Sequence, residues 1–150
     1  MVNRFVRFSY AIAEIDRSLH KIMSDEMYSL GLRGPHAVYI TWLNMHTEGL
    51  TAAELAKLTD KNKADVSRAM VELESRGIIE RRSNKNFYRA QIVLTESGRA
   101  VAEKLRARTR LAVELIGGGL PEEKREVFYE ALEFISSNLH KISETGLPET

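Results

Sequence analysis

Cysteine is absent from this 150-residue chain. That excludes disulfides, thiolate catalysis and thiol-based peroxide sensing. It suits a reducing compartment, and a cytoplasmic protein is expected. Long hydrophobic runs are absent too. None approaches the roughly 18 residues that span a bilayer, and the opening Met1-Val-Asn-Arg-Phe-Val-Arg7 lacks the apolar core of a secretory leader. No membrane partner is expected. Proline occurs three times, and two of the three, Pro35 and Pro121, fall where helices should begin. The sequence has no glycine-rich phosphate loop after a strand, no nucleophile elbow and no metal-binding helix motif. Gly117-Gly-Gly119 follows a helical segment, so it reads as a cap or hinge. The four histidines, His20, His36, His46 and His140, form no pair at i, i+4. An enzyme is therefore not expected, nor a metal or other cofactor.

Excess charge of one sign is also missing from the chain as a whole, which carries a net +1. Its distribution is uneven. Between Lys61 and Arg89 there are eight basic residues and four acidic ones, a local +4, so the remainder carries −3. A basic centre in a nearly neutral chain is the footprint of a nucleic-acid binder. The alternative is an ordinary solvated face.

Apolar periodicity supplies the architecture. Phe5, Phe8, Ile12, Ile15, Leu19 and Ile22 repeat at 3, 4, 3, 4, 3, a heptad seam along the first helix. Phe128, Leu132, Ile135, Leu139 and Ile142 repeat at 4, 3, 4, 3 near the other end. Each seam needs a partner helix. The two could pair within one chain or interlock with a second copy, and a chain with little other core favours the second copy. Phe5, Phe8, Ile12, Phe128, Leu132, Ile135 and Leu139 are accordingly the expected dimerisation residues. A second helix, about Pro35 to Thr47, is apolar nearly all round and should lie deep in the core.

The centre of the chain is the most specific part. Thr51 and Glu54 can form a capping box, with Leu50 and Leu55 closing a staple across it. Asn62 and Asp65 can cap the next helix, whose Val66, Met70 and Leu73 face inward. Lys63, Ala64, Ser67, Arg68 and Val71 then face outward. Gly77 ends that helix in a left-handed conformation. Ile78-Ile79 and Gln91 to Leu94 have strand composition around a polar tip, Ser83 to Asn86. Thr95 opens a long helix of about Glu96 to Ile116. Helix, turn, basic helix and basic hairpin make a winged helix-turn-helix.

These residues resemble the MarR family of bacterial transcriptional regulators. The resemblance rests on Leu50-Thr-Ala-Ala-Glu-Leu-Ala56, Val66-Ser-Arg68, Leu73-Glu-Ser-Arg-Gly-Ile-Ile-Glu-Arg81 and Leu94-Thr-Glu-Ser-Gly98. It implies a mainly α fold with a small β wing. A winged helix-turn-helix DNA-binding region over residues 35–95 would be joined to a dimerisation lobe built from residues 1–34 and 96–150. The family's wing carries an Asp-x-Arg pair before its Leu-Thr. Counted back from Leu94 those positions hold Asn86 and Tyr88; counted forward from Arg81 they hold Phe87 and Arg89. The acid is missing in both registers, and Arg89 is the expected equivalent of the arginine.

The resemblance implies a homodimer that binds a pseudo-palindromic duplex, acting as a repressor by analogy. Lys63, Ser67 and Arg68 would meet the major groove. Arg68 could read guanine or hold a phosphate, the alternative being an ion pair with Glu72. Asp65 could accept from cytosine or serve as a cap acid. Lys61 and Asn62 would reach phosphates, and Arg82, Lys85 and Arg89 would act from the wing. Similar proteins bind small aromatic or phenolic acids, for which Ile12, Ile15, Tyr39, Trp42 and His46 are candidates; the alternative is that these aromatics are core. A winged-helix protein-interaction module, or a nonspecific DNA binder without ligand response, is the competing function.

Overall fold

The computed structural model describes residues 2–82 and 90–147, leaving aside the side chains of Val2 and Phe5. Lys85, Arg89 and the Phe5 side chain, all expected to act in binding or dimerisation, lie outside the described residues. The order is α1 (Val2–Ser29), α2 (His36–Met45), α3 (Ala52–Thr59), α4 (Lys63–Ser75), β1 (Ile79–Arg82), β2 (Gln91–Leu94), α5 (Glu96–Ile116) and α6 (Glu122–Thr145). Two compact units result, Met1–Thr109 and Arg110–Thr150, with α5 running from the first into the second.

The first unit has one core. Ile40 and Leu43 of α2, Leu55 of α3, Val66, Met70 and Leu73 of α4, Ile79 of β1 and Ile92 of β2 are all nearly inaccessible. The inward periodicity expected of α4 is thus observed. Removing any one of the larger side chains to alanine would leave a cavity costing roughly 2–5 kcal/mol. Helix α2 departs from its expected bounds. Pro35 is its N-cap rather than its first helical residue, and the helix stops at Met45 because His46 leaves helical geometry (φ −121°, ψ 79°). Nor is it buried all round: Met45 is 67% exposed at its free end.

The strands pair antiparallel, Ile79 with Leu94 through to Arg82 with Gln91. A third, one-residue strand was not evident in the sequence. Leu50 exchanges backbone hydrogen bonds with Ile92 (Leu50 N–H to Ile92 O 3.0 Å, the reverse 2.8 Å). The preceding Gly49 makes this possible, since a Cβ there would lie 2.8 Å from the Val93 side chain.

Among its described residues, α1 joins this core near its end, through the fully buried Met27 and the partly buried Met23. Upstream, Phe8, Ile12, Ile15, Leu19 and Ile22 remain 40–49% exposed. Arg108 of α5 grips Glu26 of α1 with two hydrogen bonds of 2.9 and 2.6 Å. That grip holds the Glu26 carboxyl below the usual carboxylate range.

The second unit contains the end of α5, the glycine turn and α6. Arg125 donates to the Gly117 carbonyl at 2.9 Å, closing the turn. No described residue of α6 is buried, and its seam residues Phe128, Leu132, Ile135, Leu139 and Ile142 are 37–54% exposed.

Candidate nucleic-acid interface

The geometry of the helix pair begins at Thr51. Its hydroxyl accepts from the Glu54 N–H at 3.2 Å, while the Glu54 carboxylate accepts from the Thr51 N–H at 2.8 Å. This is the reciprocal cap expected from the sequence. The same bonds hold the Glu54 carboxyl below its ordinary range. Helix α3 ends on Asp60 in a left-handed conformation (φ 51°, ψ 43°). Asp60 N–H then reaches Lys57 O and Lys61 N–H reaches Ala56 O. Those two bonds form a Schellman cap. They turn the chain within three residues into α4.

Asn62 caps α4, accepting from the Asp65 N–H at 2.8 Å and donating to the Asp65 carboxylate at 2.8 Å. Asp65 is therefore part of the cap, as one of its two expected roles had it. Its second partner is Arg68, one turn on. The ion pair expected for Arg68 as the alternative to DNA contact, with Glu72, does not form; the partner is Asp65. Glu72 is engaged instead by Arg33 and His36 from other elements and by Arg76. Lys63, Ala64, Ser67, Arg68 and Val71 are exposed, as their positions on the helix predict, and Lys61 is exposed in the turn before it.

Gly77 has φ +70°, and Gly77 N–H to Glu74 O and Ile78 N–H to Leu73 O complete a Schellman cap at the end of α4. The wing's root is pinned there. Thr95 donates to the Gly77 carbonyl at 2.5 Å and accepts from the Gly98 N–H at 3.0 Å, capping α5 as expected. Gly98 has no alternative at this contact: a Cβ would come within 2.0 Å of the Ile78 oxygen. On β1, Arg81 pairs with Glu74 of α4 at 3.0 Å and Arg82 with Glu80 at 3.1 Å. A groove runs between the start of α3, the outward face of α4 and the wing, lined by Thr51, Glu54, Lys63, Ser67, Arg81 and Gln91. Lys63, Ser67 and Arg81 thus share one concavity. Lys61 and Arg68 instead line a second cleft with Arg33, His36, Tyr39 and Glu72.

Sequence reasoning missed Arg33, Arg76 and Arg81 as members of this surface, and His36 as its buried support. His36 is 2% exposed. Its Nδ1 accepts from the Arg33 N–H at 3.2 Å, which places the ring proton on Nε2, 3.3 Å from the Glu72 carboxylate. Burial pushes the imidazole below its ordinary pKa, against the opposing pull of Glu72. The separation of His36 and Glu72 along the chain has no periodic signature, so no pattern in the sequence could reveal their contact.

The five candidate ligand residues are not brought together. Tyr39 is buried and lines the cleft beside α4. Trp42 and His46 contact each other, with ring centroids 5.9 Å apart. Trp42 packs against the core, whereas Ile12 and Ile15 are exposed on α1.

With that geometry in place, comparison with known proteins is direct. Residues 30–86 match the sequence model of the MarR family. No curated protein matches the chain. Among solved structures, a MarR family transcription regulator designated SP03579 superposes with a TM-score of 0.87 at 18% identity, covering 95% of each chain. A Staphylococcus aureus MepR–DNA complex gives 0.77 at 22% identity, covering 88% of this chain and 96% of that one. A MarR-type regulator from Listeria monocytogenes, complexed with 26mer DNA, gives 0.77 at 21% identity over 94% and 96%. The chain thus matches the MarR-family sequence model over residues 30–86 and shares the fold of MarR-family regulators over nearly its whole length.

Proposed function

We propose that this protein is a DNA-binding transcriptional regulator of the MarR type, acting as a homodimer on a pseudo-palindromic site. The observation that carries the reading is the outward face of α4. Lys63, Ser67 and Arg68 are solvent-exposed on its N-terminal half, the part of such a helix that meets base edges. Lys61 and Asn62 flank it at the turn, and Arg81 and Arg82 stand beside it on β1. Ala64 and Val71 add small apolar side chains on the same face, chemistry suited to thymine methyl groups. The DNA-bound MepR and Listeria structures support the assignment by likeness.

Dimerisation follows from the two exposed seams. Phe8, Ile12, Ile15, Leu19 and Ile22 on α1, with the five seam residues of α6, stay open to solvent. That is more apolar surface than an isolated monomer ordinarily tolerates. Symmetry would then place two copies of α4 about one DNA turn apart. Repression is the expected sign by analogy. A small aromatic acid is the expected effector. Because Tyr39 lines the cleft against α4, a ligand that contacted it would act by favouring one placement of α4 over another.

Selection of bound sequences from random duplex DNA, followed by a salt titration, tests the function. The expected result is an enriched inverted repeat whose affinity falls steeply with salt. Binding without enrichment would leave only a nonspecific DNA-binding role, and no binding at low salt would overturn the reading.

A further inference from the structure

Glu72 is an acid in the basic centre of the chain, on the flank of α4 between exposed Arg68 and buried Ala69. It touches three groups. Its Oε2 lies 3.2 Å from Arg33 and 3.3 Å from His36 Nε2, and its Oε1 lies 3.6 Å from Arg76. Arg33 belongs to the α1–α2 turn and His36 opens α2. Arg76 continues the chain of contacts, donating to the Gly31 carbonyl at the end of α1. One carboxylate thus ties α4 to two other elements.

We propose that Glu72 is the positioning residue of α4: it fixes the rotation of that helix about its own axis and so aims Lys63, Ser67 and Arg68. The inference rests on the DNA-binding reading above. The apolar contacts of α4 resist separation but are non-directional, and the facing side chains include the small Ala69. Ion pairs and hydrogen bonds to fixed partners are directional. A rotation of about 20° moves a point at the helix's outer radius by about 2 Å, given a helix roughly 10–12 Å across. Recognition contacts tolerate only about 0.5 Å. The anchor is stiff on its α2 side, because the His36 ring is buried and its other nitrogen is held by the Arg33 N–H.

Simple electrostatics makes a different prediction for the selected-to-unrelated ratio, which gives the test its force. Removing an acid near a polyanion should tighten binding to every duplex. Loss of an anchor should instead lower discrimination. The experiment measures Glu72→Gln, Arg33→Ala and the double variant in the full chain, against a selected duplex and an unrelated one of equal length. The expected result is a roughly tenfold fall in the selected-to-unrelated affinity ratio for Glu72→Gln. Binding to the unrelated duplex should hold or rise. Arg33→Ala should lower the ratio in the same direction, and the double variant should add little to either. An unchanged ratio, or fully additive effects, overturns the proposal.

Amide hydrogen exchange across α4, measured without DNA, keeps this inference separate from the function it rests on. Faster exchange at α4 in Glu72→Gln, with the α6 amides unchanged, supports the anchor even if no duplex is ever enriched. Unchanged exchange at α4 sinks it. Should Glu72→Gln fail to fold, Arg33→Ala carries the same predictions for the affinity ratio and for exchange at α4, since the Arg33 side chain is 69% exposed.

Discussion

Arg68 is held by Asp65, one turn earlier on the same helix, while the Asp65 carboxylate also accepts from the Asn62 cap. This exposed cation of the proposed recognition face is therefore already paired before any partner arrives. Arg68→Ala should weaken binding to a selected duplex by about 1–3 kcal/mol and relax the base preference at one position. If affinity falls equally for every sequence, Arg68 is a phosphate contact and not a reader. Asp65→Asn should release Arg68 and strengthen binding to unrelated DNA, measured by the same titration.

Val71 offers a test confined to a single methyl group. It is 59% exposed on the outward face of α4. Replacing individual thymines of a selected duplex by deoxyuridine should weaken binding at one position in each half-site, by several-fold. The Val71→Ala variant should no longer notice that replacement. Indifference of the unsubstituted protein to every such change would remove Val71 from base recognition.

His36 sets a pH dependence for stability. Burial holds its folded pKa below the ordinary 6.5, so the unfolded chain takes up the proton first as pH falls. Stability is complete above about 6.5 and declines as pH drops from there toward the folded value. The lowered carboxyls of Glu26 and Glu54 act further down, below their ordinary 4.5. Urea unfolding between pH 8 and pH 5 should show the decline, and His36→Asn, which keeps an acceptor but does not titrate, should flatten it. A midpoint independent of pH over that range in the unsubstituted protein would contradict a lowered His36 pKa.

Dimerisation can be checked by mass. Ile135→Glu or Ile12→Glu places a charge in an exposed seam, at residues 37% and 42% exposed in the single chain. Sedimentation equilibrium should report a shift from dimer toward monomer. An unaltered dimer for both variants would place the interface elsewhere.

Much of this was legible in the residues. Thr51 with Glu54, Asn62 with Asp65, and Gly77 are local devices whose geometry spans only a few bonds, so their spacing alone predicts the caps seen. The bounds of α5 follow from the Thr95 cap and the stop at Gly117 to Gly119, and the inward set Val66, Met70 and Leu73 from a 3.6-residue period. What stayed hidden is non-local. Arg33 and His36 meet Glu72 only because α2 packs beside α4, and nothing in their spacing encodes that meeting. The partner of Arg68 is hidden for the same reason: Asp65 and Glu72 both lie within one turn of it, and Glu72 is engaged by Arg33 and His36 from other elements. The Leu50–Ile92 bridge was likewise invisible, being one residue long.

That bridge has a mechanical result. Leu50 immediately precedes the Thr51 cap of α3, and Ile92 sits in the strand returning from the wing. Pull on the wing and the force enters the backbone at the very residue from which α3 departs. The strand pair and the helix pair are thus joined by main-chain hydrogen bonds at Leu50, where α3 is about to begin. A partner laid across this face would meet the strands and the helices as surfaces whose backbones are already joined.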